Sequence, residues 1–144
     1  MANNLTFTSA PFMQGLTASA TNSAVNTKYD ILSVDATNAR RIYGISIACI
    51  DATTNNITIY LHDGTNSYQV FVVQSAINAG NLVTAAALDI MGSVYGASVF
   101  QKQRDANGVP YFNLPAGWKM QYSYSGSLLS GEGHYILVFG ETYA

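Results

Sequence analysis

Charge is the scarcest property of this sequence. Of 144 residues only six are Lys or Arg and eight are Asp or Glu, so charged residues make up 10% of the chain, against roughly 25% in ordinary soluble domains. The cations are scattered as Lys28, Arg40, Arg41, Lys102, Arg104 and Lys119, and the formal net charge is -2. Phosphate backbones need several clustered cations, so no nucleic-acid partner is expected. A surface this poor in charge must be covered mainly by Asn, Thr, Ser, Gln, Gly and Tyr. Such a surface suits contact with protein or sugar, and assembly is favoured.

Cysteine, histidine and long apolar runs are nearly missing too. The one cysteine, Cys49, cannot close an internal disulfide. Its place in the run Ile45-Ser46-Ile47-Ala48-Cys49-Ile50 reads as a small buried hydrophobe, not an exposed nucleophile. No uncharged apolar run reaches the roughly 18 residues of a membrane span, and Met1-Ala2-Asn3-Asn4-Leu5-Thr6 lacks the basic region and apolar stretch of a secretory signal. A soluble protein made in the cytoplasm, with no membrane partner, is the expectation.

The two histidines, His62 and His134, fall on expected strands, with Asp63 and Glu132 near them in sequence. Without a Cys or His spacing motif they read as strand residues facing solvent or a neighbouring subunit. Nucleophile elbow, Walker loop and dinucleotide fingerprint are all missing. The glycine-rich stretch from Gly126 to Gly133 carries no Lys and precedes a strand, so it is a turn and not a phosphate cradle. Asp105-Ala106-Asn107-Gly108 has the letters of a calcium loop without its closing Glu, and reads as a turn. No catalytic residue, metal or cofactor is expected, and the protein is not expected to be an enzyme.

What is present is β texture. From Tyr29 onward, short apolar stretches alternate with turn residues at the 8 to 12 residue spacing of a sandwich or barrel. Tyr29 to Val34 is one strand. Arg41 to Ile50 is another, with Tyr43, Ile45, Ile47 and Cys49 on one face and Ile42, Gly44, Ser46, Ala48 and Ile50 on the other; both faces are largely apolar, so this strand is central. Asn56 to His62 alternates, Asp63-Gly64 supplies the positive φ of a tight hairpin, and Tyr68 to Val73 returns. These three strands are expected to form a meander. Asn81 to Met91 gathers helix formers and is the place for at most one short helix or turn. Gly92 to Val109 is a long connection, either an exposed loop or a second hairpin. Trp118 to Tyr124 alternates strictly, with Trp118, Met120, Tyr122 and Tyr124 on one side, and His134 to Phe139 closes the domain as a strand apolar on both faces apart from His134.

The first 26 residues differ. Beyond Met1 and Leu5, Phe7, Phe12, Met13 and Leu16 are their large apolar groups, too few for a core. An extended N-terminal arm over residues 1–26 and a β-sandwich domain over 27–144 are therefore expected, the fold class being all-β, an antiparallel sandwich. Ten tyrosines and Trp118 raise a second possibility, a platform on which sugar rings stack, although the alternation around Trp118 reads first as core filling.

Four segments carry a family resemblance. Asn56-Ile57-Thr58-Ile59-Tyr60-Leu61-His62-Asp63-Gly64-Thr65-Asn66 is similar to a strand running into a Y-x-x-D-G-T hairpin. Asn113-Leu114-Pro115-Ala116-Gly117-Trp118-Lys119-Met120 is similar to an L-P-A-G strand entry, with Leu88-Asp89-Ile90-Met91 between them, and the chain ends in an apolar strand, Tyr135-Ile136-Leu137-Val138-Phe139-Gly140. From about Arg40 to Tyr143 the chain thus resembles small virion structural proteins of tailed bacteriophages. The resemblance implies a jelly-roll-like sandwich, commonly a homotrimer, that decorates or cements the capsid by binding the major capsid protein across subunit joints. It implies a protein made in the host cytoplasm and finally located on the capsid surface. On that reading Phe7, Phe12, Met13 and Leu16 anchor the arm, and Tyr95, Phe100 and Tyr111 make subunit contacts. A carbohydrate- or receptor-binding module, or a neck or tail component of the virion, is the alternative.

Overall fold

The alternating segments form strands in the computed structural model, which describes residues 9–80, 86–91 and 103–143. Among the described residues the elements are β1 (Ser9–Ser19), β2 (Tyr29–Ser33), β3 (Ala39–Ile50), β4 (Asn56–His62), β5 (Ser67–Gln74), β6 (Leu88–Asp89), β7 (Gln103–Arg104), β8 (Pro110–Leu114), β9 (Lys119–Tyr124) and β10 (Gly133–Tyr143). No helix occurs among the described residues, so none there is long and apolar enough to cross a membrane. The stretch expected to hold at most one short helix or turn carries the two-residue strand β6 followed by a turn at Ile90 and Met91. Leu88 and Asp89 pair with Ile47 and Ser46 of β3, and the remainder of that stretch, residues 81–85, lies outside the described residues.

Two antiparallel sheets pack face to face. One runs β1-β10-β3-β8-β7 with β6 also on β3, and the other runs β2-β9-β4-β5. The long strands nest as β1 with β10, β2 with β9, β3 with β8 and β4 with β5. That is a doubled-over chain rolled up, the jelly-roll form of the β-sandwich. The core lies between the sheets. Ile42, Ile45, Ile47, Ile136 and Val138 of the first sheet meet Ile57, Ile59, Met120, Tyr122 and Tyr124 of the second, all at most 2% exposed. Phe71 and Phe112 meet across the gap with ring centroids 6.2 Å apart.

The expected meander holds only in its second half. β4 and β5 form the hairpin, but β3 pairs with β10 and β8, and the chain crosses to the other sheet between β3 and β4. A strand apolar on both faces belongs in the middle of a sheet, and β3 takes that place between β10 and β8. The crossing loop is held by buried polar groups: Asn55 N–H donates to Ser75 Oγ at 2.9 Å and Asn55 Oδ1 accepts from Gly126 N–H at 2.5 Å. One face assignment also changes. The β3–β10 register shifts between Phe139 and Gly140, which pair with Gly44 and Ile42, leaving Tyr43 as the extra residue of a bulge. Ile42 therefore turns inward with Ile45 rather than away from it.

The N-terminal segment, expected as an arm, is extended over Ser9–Ser19 and lies in the sheet as β1, paired with β10 over its whole length. The long connection contains the second of its two expected forms: β7 and β8 pair as a hairpin around Asp105, whose Oδ1 accepts from Asn107 N–H and Val109 N–H. Asp35 and Asp63 organise two further turns. Asp35 accepts from the Thr37 hydroxyl and from Thr37 and Asn38 N–H, and Asp63 from Asn66 and Thr65 N–H and the Tyr68 hydroxyl. These bonds lower both carboxyls from 3.8 to about 2. Because the folded values lie below the unfolded ones, the stabilisation is complete above the unfolded value and is lost as pH falls through about 2. The urea midpoint is expected to drop from pH 4 to 2, and to drop less in Asp35→Asn/Asp63→Asn; equal slopes in an acid titration would exclude this origin.

Candidate binding surfaces and a buried polar cluster

The outer face of the first sheet is apolar where a solvated face would be polar. β10 alternates, sending Ile136 and Val138 inward and leaving Tyr135, Leu137 and Phe139 at 46%, 37% and 41% exposure, while Met13 of β1 is 69% exposed. Register brings them together: Met13 pairs with Phe139, and Gly15 and Thr17 sit beside Leu137 and Tyr135. On the other flank are Gly44, Ser46 and Ala48 of β3. Small neighbours give the large side chains room, the Phe139 ring lying over Gly44, and together these four expose on the order of 400 Å², the size of the largest patch on a typical monomer, which is often functional. Tyr43 and Val109 continue the surface into two shallow grooves of about 450 and 520 Å³ that share these residues and Phe139.

β1 borders this face and, among the described residues, is the edge of its sheet. Eleven residues long and paired without a register break, it contains no charged residue. Edge strands in monomers usually carry charge, bulges or cover that discourage further pairing.

The structure divides the residues expected to make contacts. Phe12 and Leu16 are partly buried against the core, with the Arg40 guanidinium 4.6 Å from the Phe12 ring centre; their apolar surface is largely spent within their own domain. Met13, on the opposite face of the same strand, is free for a partner. Tyr111 lies beside Tyr43, ring centroids 5.9 Å apart, with the Arg41 guanidinium over its ring at 4.4 Å. Phe7, Tyr95 and Phe100 lie outside the described residues.

A second surface is a cleft of about 310 Å³ lined by Leu61, Tyr68, Val70, Asn113, Pro115 and Trp118. The backbone N–H of Trp118 donates to Pro115 O at 3.2 Å, closing the turn that leads into β9. The Tyr68 and Trp118 rings are 6.2 Å apart and within 21° of parallel, and the Tyr68 hydroxyl donates to Asp63 Oδ2 at 2.8 Å. Trp118 thus belongs only in part to the core its alternation suggests.

The main titratable cluster is interior. His134, expected to face solvent or a neighbour, is 0% exposed. Its Nε2 is 2.6 Å from Asp51 Oδ2, and its Nδ1 bonds the Tyr122 hydroxyl. Asp51, itself 1% exposed, also accepts from Asn55 Nδ2 at 3.2 Å and Ser75 Oγ at 3.4 Å. Cys49 lies beside them, and burial pushes its thiol up to about 12. None of the three is more than 1% exposed. His62 has a local role: its Nδ1 accepts from Gly64 N–H at 2.9 Å. Glu132 ties two loops, accepting from Ala52 N–H and Leu129 N–H.

The apolar character of both faces of β10 was legible in the sequence, and one of those faces needs a partner. The buried cluster was harder to foresee, because Asp51 looks like part of a polar turn until β10 is placed against β3. No family model matches the chain, and no match to it occurs among curated proteins.

Proposed function

We propose that the protein is a structural binding module of a bacteriophage virion, which decorates and stabilises the capsid by binding across joints between subunits of the major capsid protein. The observation that carries this reading is the exposed apolar face formed by Met13, Tyr135, Leu137 and Phe139, bordered by an uncharged edge strand. Jelly rolls serve widely as capsid and lectin domains, an analogy of fold alone. Binding the assembled shell and not its separated subunits shifts the equilibrium toward the shell by mass action. The same face and edge serve self-association, a trimer by the resemblance. A neck or tail position on the particle would use the same surface.

The test is co-sedimentation with empty shells. Met13→Lys/Phe139→Lys changes two exposed side chains, so the fold should survive, and shell affinity is expected to fall at least ~100-fold. Undiminished occupancy by the folded variant would sink the proposal. Removing residues 1–26 is not a clean alternative, since it strips β1 from β10; removing residues 1–8 asks about Phe7 while leaving β1 in place. The cleft between Tyr68 and Trp118 favours one other reading, a carbohydrate-binding module. Glycan-array binding that disappears in folded Trp118→Ala, in a protein that ignores shells, would select it.

A further inference from the structure

We propose that Cys49, Asp51 and His134 form a closed site for one zinc ion, independent of the surface contacts argued above. Antiparallel pairing sets His134 of β10 directly opposite Cys49 of β3, so their side chains share a face. Asp51 follows Cys49 by two residues, and alternation turns it the same way. The thiol sulfur, a carboxylate oxygen and an imidazole nitrogen all lie within 4.8 Å of one another, and all three residues are buried. Donors of a tetrahedral zinc stand roughly 3.3–3.8 Å apart, so small side-chain rotations bring this set to bonding distance.

An oxygen without a partner points to the ligand. Asp51 Oδ1 is buried and makes no hydrogen bond, whereas Oδ2 accepts from His134, Asn55 and Ser75. A buried carboxylate oxygen left bare is costly, and a cation beside it removes the cost. The three residues provide three well-spaced donors, one sulfur, one nitrogen and one oxygen, and the second carboxylate oxygen, too close to the first to fill a tetrahedral corner, adds a weaker contact. This mixture fits zinc, whereas calcium and magnesium take all-oxygen shells. Thiolate and carboxylate together neutralise a divalent ion, so the filled site adds no net charge to the interior.

The surroundings orient the donors. Nε2–H donates to Asp51 when no ion is bound; with the ion on Nε2 the imidazole takes the Nδ1–H tautomer, and the Tyr122 hydroxyl, able to donate or accept, receives that proton's bond. Asn55 and Ser75 keep the carboxylate in place. Uptake exchanges the Cys49 thiol proton for the ion. Asp51 opens a loop in which Ala52, Thr53 and Thr54 are exposed, so the ion enters as the chain folds or as that loop opens.

The full chain is unfolded, then refolded with equimolar zinc, with cobalt, or with chelator. One zinc per chain, a Tm raised by at least ~5 °C over the chelated sample, and a thiolate-to-cobalt charge-transfer band are expected. Cys49→Ser, nearly the same size, is expected to fold and to lose the band. Zinc that is substoichiometric and stripped by chelator with no change in Tm would overturn the site, as would a cobalt spectrum without the thiolate band in the wild-type protein. Neither result bears on shell binding, which the surface variants test separately.

Discussion

His134→Leu is expected to lose about 3–5 kcal/mol of stability in urea unfolding with chelator present. The substitution fills the space but leaves the Asp51 carboxylate facing apolar side chains, with only the amide of Asn55 and the hydroxyl of Ser75. It also removes the partner of the Tyr122 hydroxyl, which burial has pushed far above its ordinary value and which then has no nitrogen to bond. The loss comes from stranded groups and not from an especially strong contact, so Asp51→Leu/His134→Leu is expected to regain much of it. A double variant no more stable than His134→Leu would show that the cluster contributes net stability of its own. Near-neutral behaviour of the single variant would mean that water reaches the cluster.

Gly140→Ala is expected to cost about 3 kcal/mol, the upper end of the range for overpacking. A Cβ at this position would lie 1.9 Å from the carbonyl oxygen of Arg41 and 3.1 Å from the Phe12 ring. The oxygen belongs to the neighbouring strand and cannot swing aside, so β10 must move off β3 where the bulge already bends the pair. Gly44 gives the control. Its added Cβ would meet the ring of Phe139 first, and that exposed side chain can rotate outward. Gly44→Ala is therefore expected to cost well under half as much in thermal or urea unfolding, while reshaping the apolar face. Equal losses in the two variants would contradict this division between backbone and side-chain obstruction.

Much of the fold was legible because the solvent boundary writes period-two patterns into the strands. β4 emerged with the boundaries Asn56 to His62, and Met120, Tyr122 and Tyr124 of β9 all face inward as their alternation indicated. Pairing was less legible, because Arg41 to Ile50 is apolar on both sides and alternation cannot say which strands flank it. β1 was hidden for another reason. Ala10, Gln14, Gly15, Thr17 and Ser19 dilute its pattern, and an edge strand that buries only part of one face needs few large apolar residues. The surface of β10 could have been inferred from Tyr135, Leu137 and Phe139, but the cluster at Asp51 required bringing together residues 83 positions apart.

The nesting of the strands also sets a timetable for synthesis. β1 leaves the ribosome first, yet its partner is β10, so the uncharged stretch Ser9–Ser19 must wait until residues 133–143 have been made. At roughly 5–20 residues per second that interval is about 6–25 s. During it the strand has no ladder partner among the described residues already made, while the β4–β5 hairpin around Asp63 and Gly64 and the β7–β8 hairpin around Asp105 can close. Other nascent copies on the same message present the same unpaired strand. Overproduction is thus expected to favour aggregates more strongly than the stability of the finished domain would suggest, and slower translation of the last strand should increase them.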